Sequence, residues 1–223
     1  MTETKIAGHL RIRSCPACHY LEQQLAERFA EIQGLLSRSE EAQIGYAAEG
    51  GFCPLHTWQL AQFSSPRGIS RGHAAIMRRL SDRLIRMGDT RASGECLSVS
   101  LKEPDGCRVC RFLADEEARY ITAFCAFLER DEHLESYGRS HGLCLRHLRQ
   151  ALARPMEEAR KTRIIRLAAD RLREIGESMV QYDRKLEQLK RELLTRDEKD
   201  AFRRGLVMLS GERTVFSPFM KAN

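Results

Sequence analysis

The chain has 223 residues, 42% of them hydrophobic, and 37 Lys and Arg against 31 Asp and Glu give a formal net charge of +6. This is the composition of a soluble protein with one substantial core or two small domains, and it excludes a disordered or fibrous chain. Leu, Ala, Arg and Glu dominate and no run approaches the roughly 18 apolar residues of a membrane span, so the expected class is all-α with no membrane segment.

Met1 to Lys5 lead into no apolar signal-like stretch, so the expected compartment is the cytoplasm. In a reducing compartment, eight cysteines point to metal ligation or redox chemistry before disulfides. The first pattern is Cys15-Pro16-Ala17-Cys18. Leu21, Leu25, Phe29, Ile32 and Leu36 then recur every three or four residues, which predicts a one-sided helix from about Cys18 to Leu36. Glu40 to Glu49 predicts a second helix, expected to bring the chain back to the first cysteines. Gly50-Gly51 allow a sharp turn into Cys53-Pro54-Leu55-His56, where a new helix is expected to begin. Ile76, Leu80, Leu84 and Met87 mark another helix, and Thr90 to Asp105 reads as a linker.

The pattern then returns. A shift of 92 residues lays Cys15 and Cys18 on Cys107 and Cys110, and with one residue removed Cys53 and His56 fall on Cys144 and His147. Leu21 and Leu113, Ala26 and Ala118, Leu36 and Leu128, Gly51 and Gly142, and Gln59 and Gln150 keep the same register. Phe112, Tyr120, Phe124, Phe127 and Leu128 predict the matching first helix, and Ile164, Ala168, Leu172 and Ile175 a later one. The charged run Val180 to Thr195 is expected to extend that helix, and a last helix near Glu198 to Leu209 should end at Gly211. The expected organisation is therefore two tandem helical repeats, 11–89 and 106–176, joined by the linker 90–105. A helical extension over 177–211 and a tail over 212–223 complete it.

Each repeat supplies three cysteines and one histidine, the donor set of a tetrahedral structural zinc site. The expected ligands are Cys15, Cys18, Cys53 and His56 for one ion, and Cys107, Cys110, Cys144 and His147 for a second. Cys18, Cys53, Cys110 and Cys144 are placed where helices begin, so exposed N–H groups favour their thiolates. Two zinc ions held by six thiolates would lower the formal charge by about two. Iron–sulfur clusters with one histidine ligand are the alternative cofactor. Cys15 to His19 also matches a c-type haem attachment motif, but the second copy has Arg111 in place of His19, and such attachment follows export. Cys96 and Cys125 lack counterparts and read as core residues. His19, His73 and His141 read as surface residues or as supports for a ligand.

Gly50 to Leu60 and His141 to Leu148 resemble the motifs of an uncharacterised prokaryotic helical family with the same doubled Cys-x-x-Cys and Cys-x-x-His pattern. The resemblance implies a helical metal-binding protein and supplies no activity.

Four protein ligands leave no open coordination position, and no phosphate-binding loop, nucleophile elbow or His-Glu-x-x-His motif occurs. Glu40-Glu41 and Glu116-Glu117 read as solvated helix faces. The expected function is an interaction or regulatory module with a macromolecular partner, a protein by preference, and with no catalytic residue. Redox chemistry through clusters or zinc thiolates is the second reading. Nucleic-acid binding, motivated by Arg78, Arg79, Arg83, Arg86, Arg160, Lys161, Arg163 and Arg166, is the third, weakened by interleaved acids and only 7% aromatic residues.

Overall fold

A computed structural model describes residues 2–89, 107–187 and 191–212. Among them are ten α-helices, one 3-10 turn and no strand. They are α1 (Glu3–His9), α2 (Pro16–Arg38), α3 (Glu40–Ala48), α4 (Pro54–Phe63), α5 (Pro66–Asp89), α6 (Arg108–Phe127), α7 (Asp131–Gly138), α8 (Leu145–Leu152), α9 (Glu158–Glu187) and α10 (Arg196–Ser210). The expected linker, Cys96 and all but Glu212 of the expected tail lie outside the described residues.

The helix borders follow from local chemistry. Ser39 caps α3 through its hydroxyl, and Thr195 and Glu198 form a reciprocal capping box at α10. Gly211 ends α10 where expected, with φ of 77° and ψ of 178°, an extended positive-φ conformation open to glycine and not the left-handed helical cap. The long helix expected to run on to Thr195 is described as far as Glu187; residues 188–190 lie outside the described residues, and Arg191–Leu193 form a 3-10 turn.

The described chain divides into two compact units, and they are not the two sequence repeats. One contains the chain up to Glu22 together with the chain from Asp115 on, and the other contains Gln23 to Ala114. Repeats over 11–89 and 106–176 therefore do not fold as separate bodies. Each unit takes the beginning of one copy and the remainder of the other.

The reason lies in helix lengths. At 1.5 Å per residue, the 23 residues of α2 run about 34 Å, whereas the nine of α3 return only about 13 Å. The second copy repeats the imbalance with 20 residues in α6 and eight in α7. Neither chain segment returns to its own first cysteine pair.

In the unit that holds both termini of the described chain, Tyr20 stacks on Tyr120 with ring centres 4.8 Å apart, and Phe124 meets Tyr137 edge-on at 5.8 Å. Ile121, Leu128, Leu134 and Leu143 are all fully enclosed around them. Helices α9 and α10 approach closely where Gly205 faces Ile175 and Met179. In the other unit Phe29, Phe52 and Tyr46 form the aromatic centre, joined by Leu25, Ile32, Leu36, Leu60 and Ile76.

Candidate metal centres

Every ligand pair is built in the same way. The carbonyls of Cys15, Cys53, Cys107 and Cys144 accept the first hydrogen bond of their helices, from His19, Thr57, Arg111 and Leu148 respectively. The first cysteine of each pair thus stands at the N-cap and the second ligand three residues on, one turn into the helix. Cys18 and Cys110 lie inside that first turn and do not open it, a small shift from the expected borders. Free N–H groups at a helix start favour thiolates, but at Cys110 burial and the neighbouring Cys107 and Cys53 outweigh this and push the thiol up to about 12.

The backbone ahead of the Cys-x-x-His pairs is fixed by glycine. Gly51 has φ of 82° and Gly142 of 83°, a region closed to most side chains. A feature missed in the sequence supports both turns: Tyr46 and Tyr137 stand in the same repeat register, five residues before these glycines. The Tyr137 hydroxyl accepts a hydrogen bond from the Leu143 N–H at 3.4 Å, and both tyrosines are buried.

Three thiols and one imidazole converge twice, but across the copies. Cys15 and Cys18 meet Cys144 and His147, while Cys53 and His56 meet Cys107 and Cys110. In each group the ligand atoms lie within 4.8 Å of one another. The within-copy quartets expected from the sequence are corrected accordingly. The same eight side chains come together, with their partners exchanged because α3 and α7 are too short to return the chain.

We term Cys15, Cys18, Cys144 and His147 the first centre, and Cys53, His56, Cys107 and Cys110 the second. In the first, Cys18 and Cys144 sulfurs are 3.9 Å apart, and His147 Nδ1 lies 3.4, 3.5 and 3.2 Å from Cys15, Cys18 and Cys144. In the second, Cys53 and Cys110 sulfurs are 3.7 Å apart, and His56 Nδ1 lies 3.2, 3.6 and 3.3 Å from Cys53, Cys107 and Cys110. Bond lengths of about 2.3 Å to sulfur and 2.0–2.1 Å to nitrogen give tetrahedral edges of about 3.8 and 3.6 Å. Both groups can therefore hold one metal ion each.

The surroundings differ. All four residues of the first centre have no exposed surface, and the Glu212 N–H donates to the Cys18 sulfur at 3.4 Å. His147 Nε2 lies 2.9 Å from Glu117, whose carboxylate is also gripped by both ends of the Arg146 fork at 2.8 and 3.0 Å. Glu116 and Glu117 are therefore not the solvated face expected. Both are buried, and Glu116 accepts the Tyr20 hydroxyl and pairs with Arg119. The sequence carried a signal for Glu117: it falls four residues after Leu113 and four before Ile121, inside the buried stripe of α6.

Charge follows this geometry. Burial opposes ionisation of Glu117, yet hydrogen bonds from His147 and Arg146 outweigh it and hold the carboxyl down to about 2. Burial likewise opposes a charged His147, but bonds to Cys144, Cys15 and Glu117 raise it to about 11. Without an ion, a proton on Nδ1 occupies the position a cation would take.

The second centre is more open. Cys53 is half-buried and Cys110 exposed, although Cys107 and His56 are buried. His56 packs near Phe29, and its Nε2 is buried with no hydrogen-bond partner among the described residues. In the repeat register Leu25 and Leu55 stand where the first centre has Glu117 and Arg146. Burial raises the Cys107 thiol, but bonds to His56 and to backbone N–H groups bring it down to about 6.

The remaining expected residues take other places. Cys125 is buried against the Ala151 carbonyl, as read. His73 bonds Tyr46 and the Ile69 carbonyl, half-buried and not at the surface, and His19 lies edge-on to His9. His141 is buried, and burial followed by the charges of Arg204 and Arg171 lowers it to about 4.

No family model, curated protein or solved structure matches this chain significantly. No helix among the described residues is long and apolar enough to cross a membrane.

Proposed function

We propose that the chain holds two zinc ions in closed Cys3His centres and serves as a macromolecular interaction module whose fold depends on them. The observation that carries this reading is the double convergence of three sulfurs and one Nδ1 at single-ion spacing. Zinc is favoured over iron–sulfur clusters because a cluster places iron and sulfide between the thiolates and holds them farther apart. Four protein ligands saturate a tetrahedral ion, leaving no position for a reacting water, which favours a structural role over catalysis. The duplicated motif supports descent from one helical repeat that now folds in exchanged halves.

A protein partner is favoured by a groove between α3 and α5. Ile44, Ala47 and Ala75 give it an apolar floor, and Arg78, Arg79, Arg83 and Arg86 surround a single carboxylate, Asp82. None of the four arginines has an ion pair among the described residues. An acidic amphipathic segment would satisfy floor and rim together, and no aromatic side chain is present for stacking a base. Zinc analysis of the purified chain, followed by circular dichroism after chelation, tests the reading: two zinc ions and loss of helix are expected, and full helicity without metal would refute the structural role. Titration with labelled duplex DNA at low salt is expected to give no saturable binding. A saturable, steeply salt-dependent isotherm would move the reading to nucleic acid.

A further inference from the structure

We propose that the two centres are divided in function: the second centre is the exchangeable one and releases its ion when hydrogen peroxide oxidises Cys110, while the first retains its ion. The proposal rests on the metal-binding reading above and goes beyond its purely structural role.

Access is the first argument. A peroxide must reach a sulfur, and in the first centre Cys15, Cys18 and Cys144 have no exposed surface, whereas Cys110 is exposed and Cys53 half-buried. Reactivity is the second. An N–H donated to a metal-bound sulfur lowers its nucleophilicity; in the first centre Cys18 receives one from Glu212, and in the second the backbone N–H bonds fall on buried Cys107, the neighbour of exposed Cys110. The third is ligand support. His147 is anchored through Glu117 and Arg146, while His56 has Leu25 and Leu55 at the equivalent positions and a buried Nε2 without a partner among the described residues. Loss of such a carboxylate support weakens metal affinity by roughly 10- to 100-fold.

The chemistry balances. The Cys110 thiolate attacks one peroxide oxygen, an S–O bond forms as the O–O bond breaks, and the leaving hydroxide takes a proton to become water. The Cys53 thiolate, 3.7 Å away, then attacks the Cys110 sulfur, forming S–S and expelling a second hydroxide that is likewise protonated. Two thiolates, one peroxide and two protons become one disulfide and two waters. The ion loses two of its four ligands and departs.

The test uses the full chain loaded with zinc, a few equivalents of hydrogen peroxide and a coloured zinc chelator as reporter. One zinc per chain is expected to appear rapidly, the second at least about ten times more slowly, with peptide mapping placing the early oxidation on Cys110 and Cys53. Leu25→Glu with Leu55→Arg, which installs the missing support, should slow the rapid phase. Should that variant fail to fold, Glu117→Leu with Arg146→Leu should instead accelerate the slow one. Both ions leaving in one phase, or early oxidation on Cys15, Cys18 or Cys144, would overturn this proposal alone. A chain that takes up no zinc overturns the underlying reading as well.

Discussion

His147 and His56 occupy the same place in the repeated motif and differ in what meets the far side of the ring. His147 faces a carboxylate that a bidentate arginine holds in turn; His56 has apolar residues at the matching register. Replacing Glu117 with Gln should therefore lower zinc affinity at the first centre by roughly 10- to 100-fold and leave the second unchanged, read by competition with a chelator of known affinity. Glycine provides another residue-scale comparison. An added Cβ at Gly51 would lie 3.0 Å from the Ile76 side chain, whereas at Gly142 the nearest atom is the Tyr137 hydroxyl at 3.7 Å. Both alanine variants incur the left-handed backbone penalty of about 1–2 kcal/mol. Gly51→Ala should lower the melting temperature more than Gly142→Ala, and equal shifts would show that Ile76 yields freely. The eight converging cysteines and histidines were legible in the sequence because residue type and spacing mark them. Glu117 was not, because a glutamate beside another on a charged helix looks solvated until its place in the apolar stripe is counted.

At the scale of elements, caps and lengths decide the architecture. The helix expected near Glu198 to Leu209 is α10, Arg196 to Ser210, and its start is set by the Thr195 and Glu198 box. Thr195→Ala should cost about 1 kcal/mol in urea denaturation of the zinc-loaded chain, and no change would mean that packing of α9 on α10 alone holds that border. Helix positions could be read because their apolar periodicity is local. Which element returns to which could not, because that depends on comparing lengths: α2 exceeds α3 more than twofold. The one available clue was this imbalance, present in both copies and pointing away from within-copy closure.

For the whole molecule, the exchange means that each centre draws ligands from both sides of residues 90–106. Duplication is visible in the sequence, but two equal donor pairs per copy permit two ways of pairing, and spacing alone cannot choose between them. The compact units settle the choice, since each contains one complete centre. Separate N- and C-terminal halves then each hold only two of the four Cys and His side chains of either centre. The most direct measurement is native mass spectrometry of the two halves, 1–97 and 98–223, produced together in one cell. A one-to-one complex carrying two zinc ions, falling apart on chelation, is the predicted result. Independent halves, each retaining one zinc of its own, would contradict it.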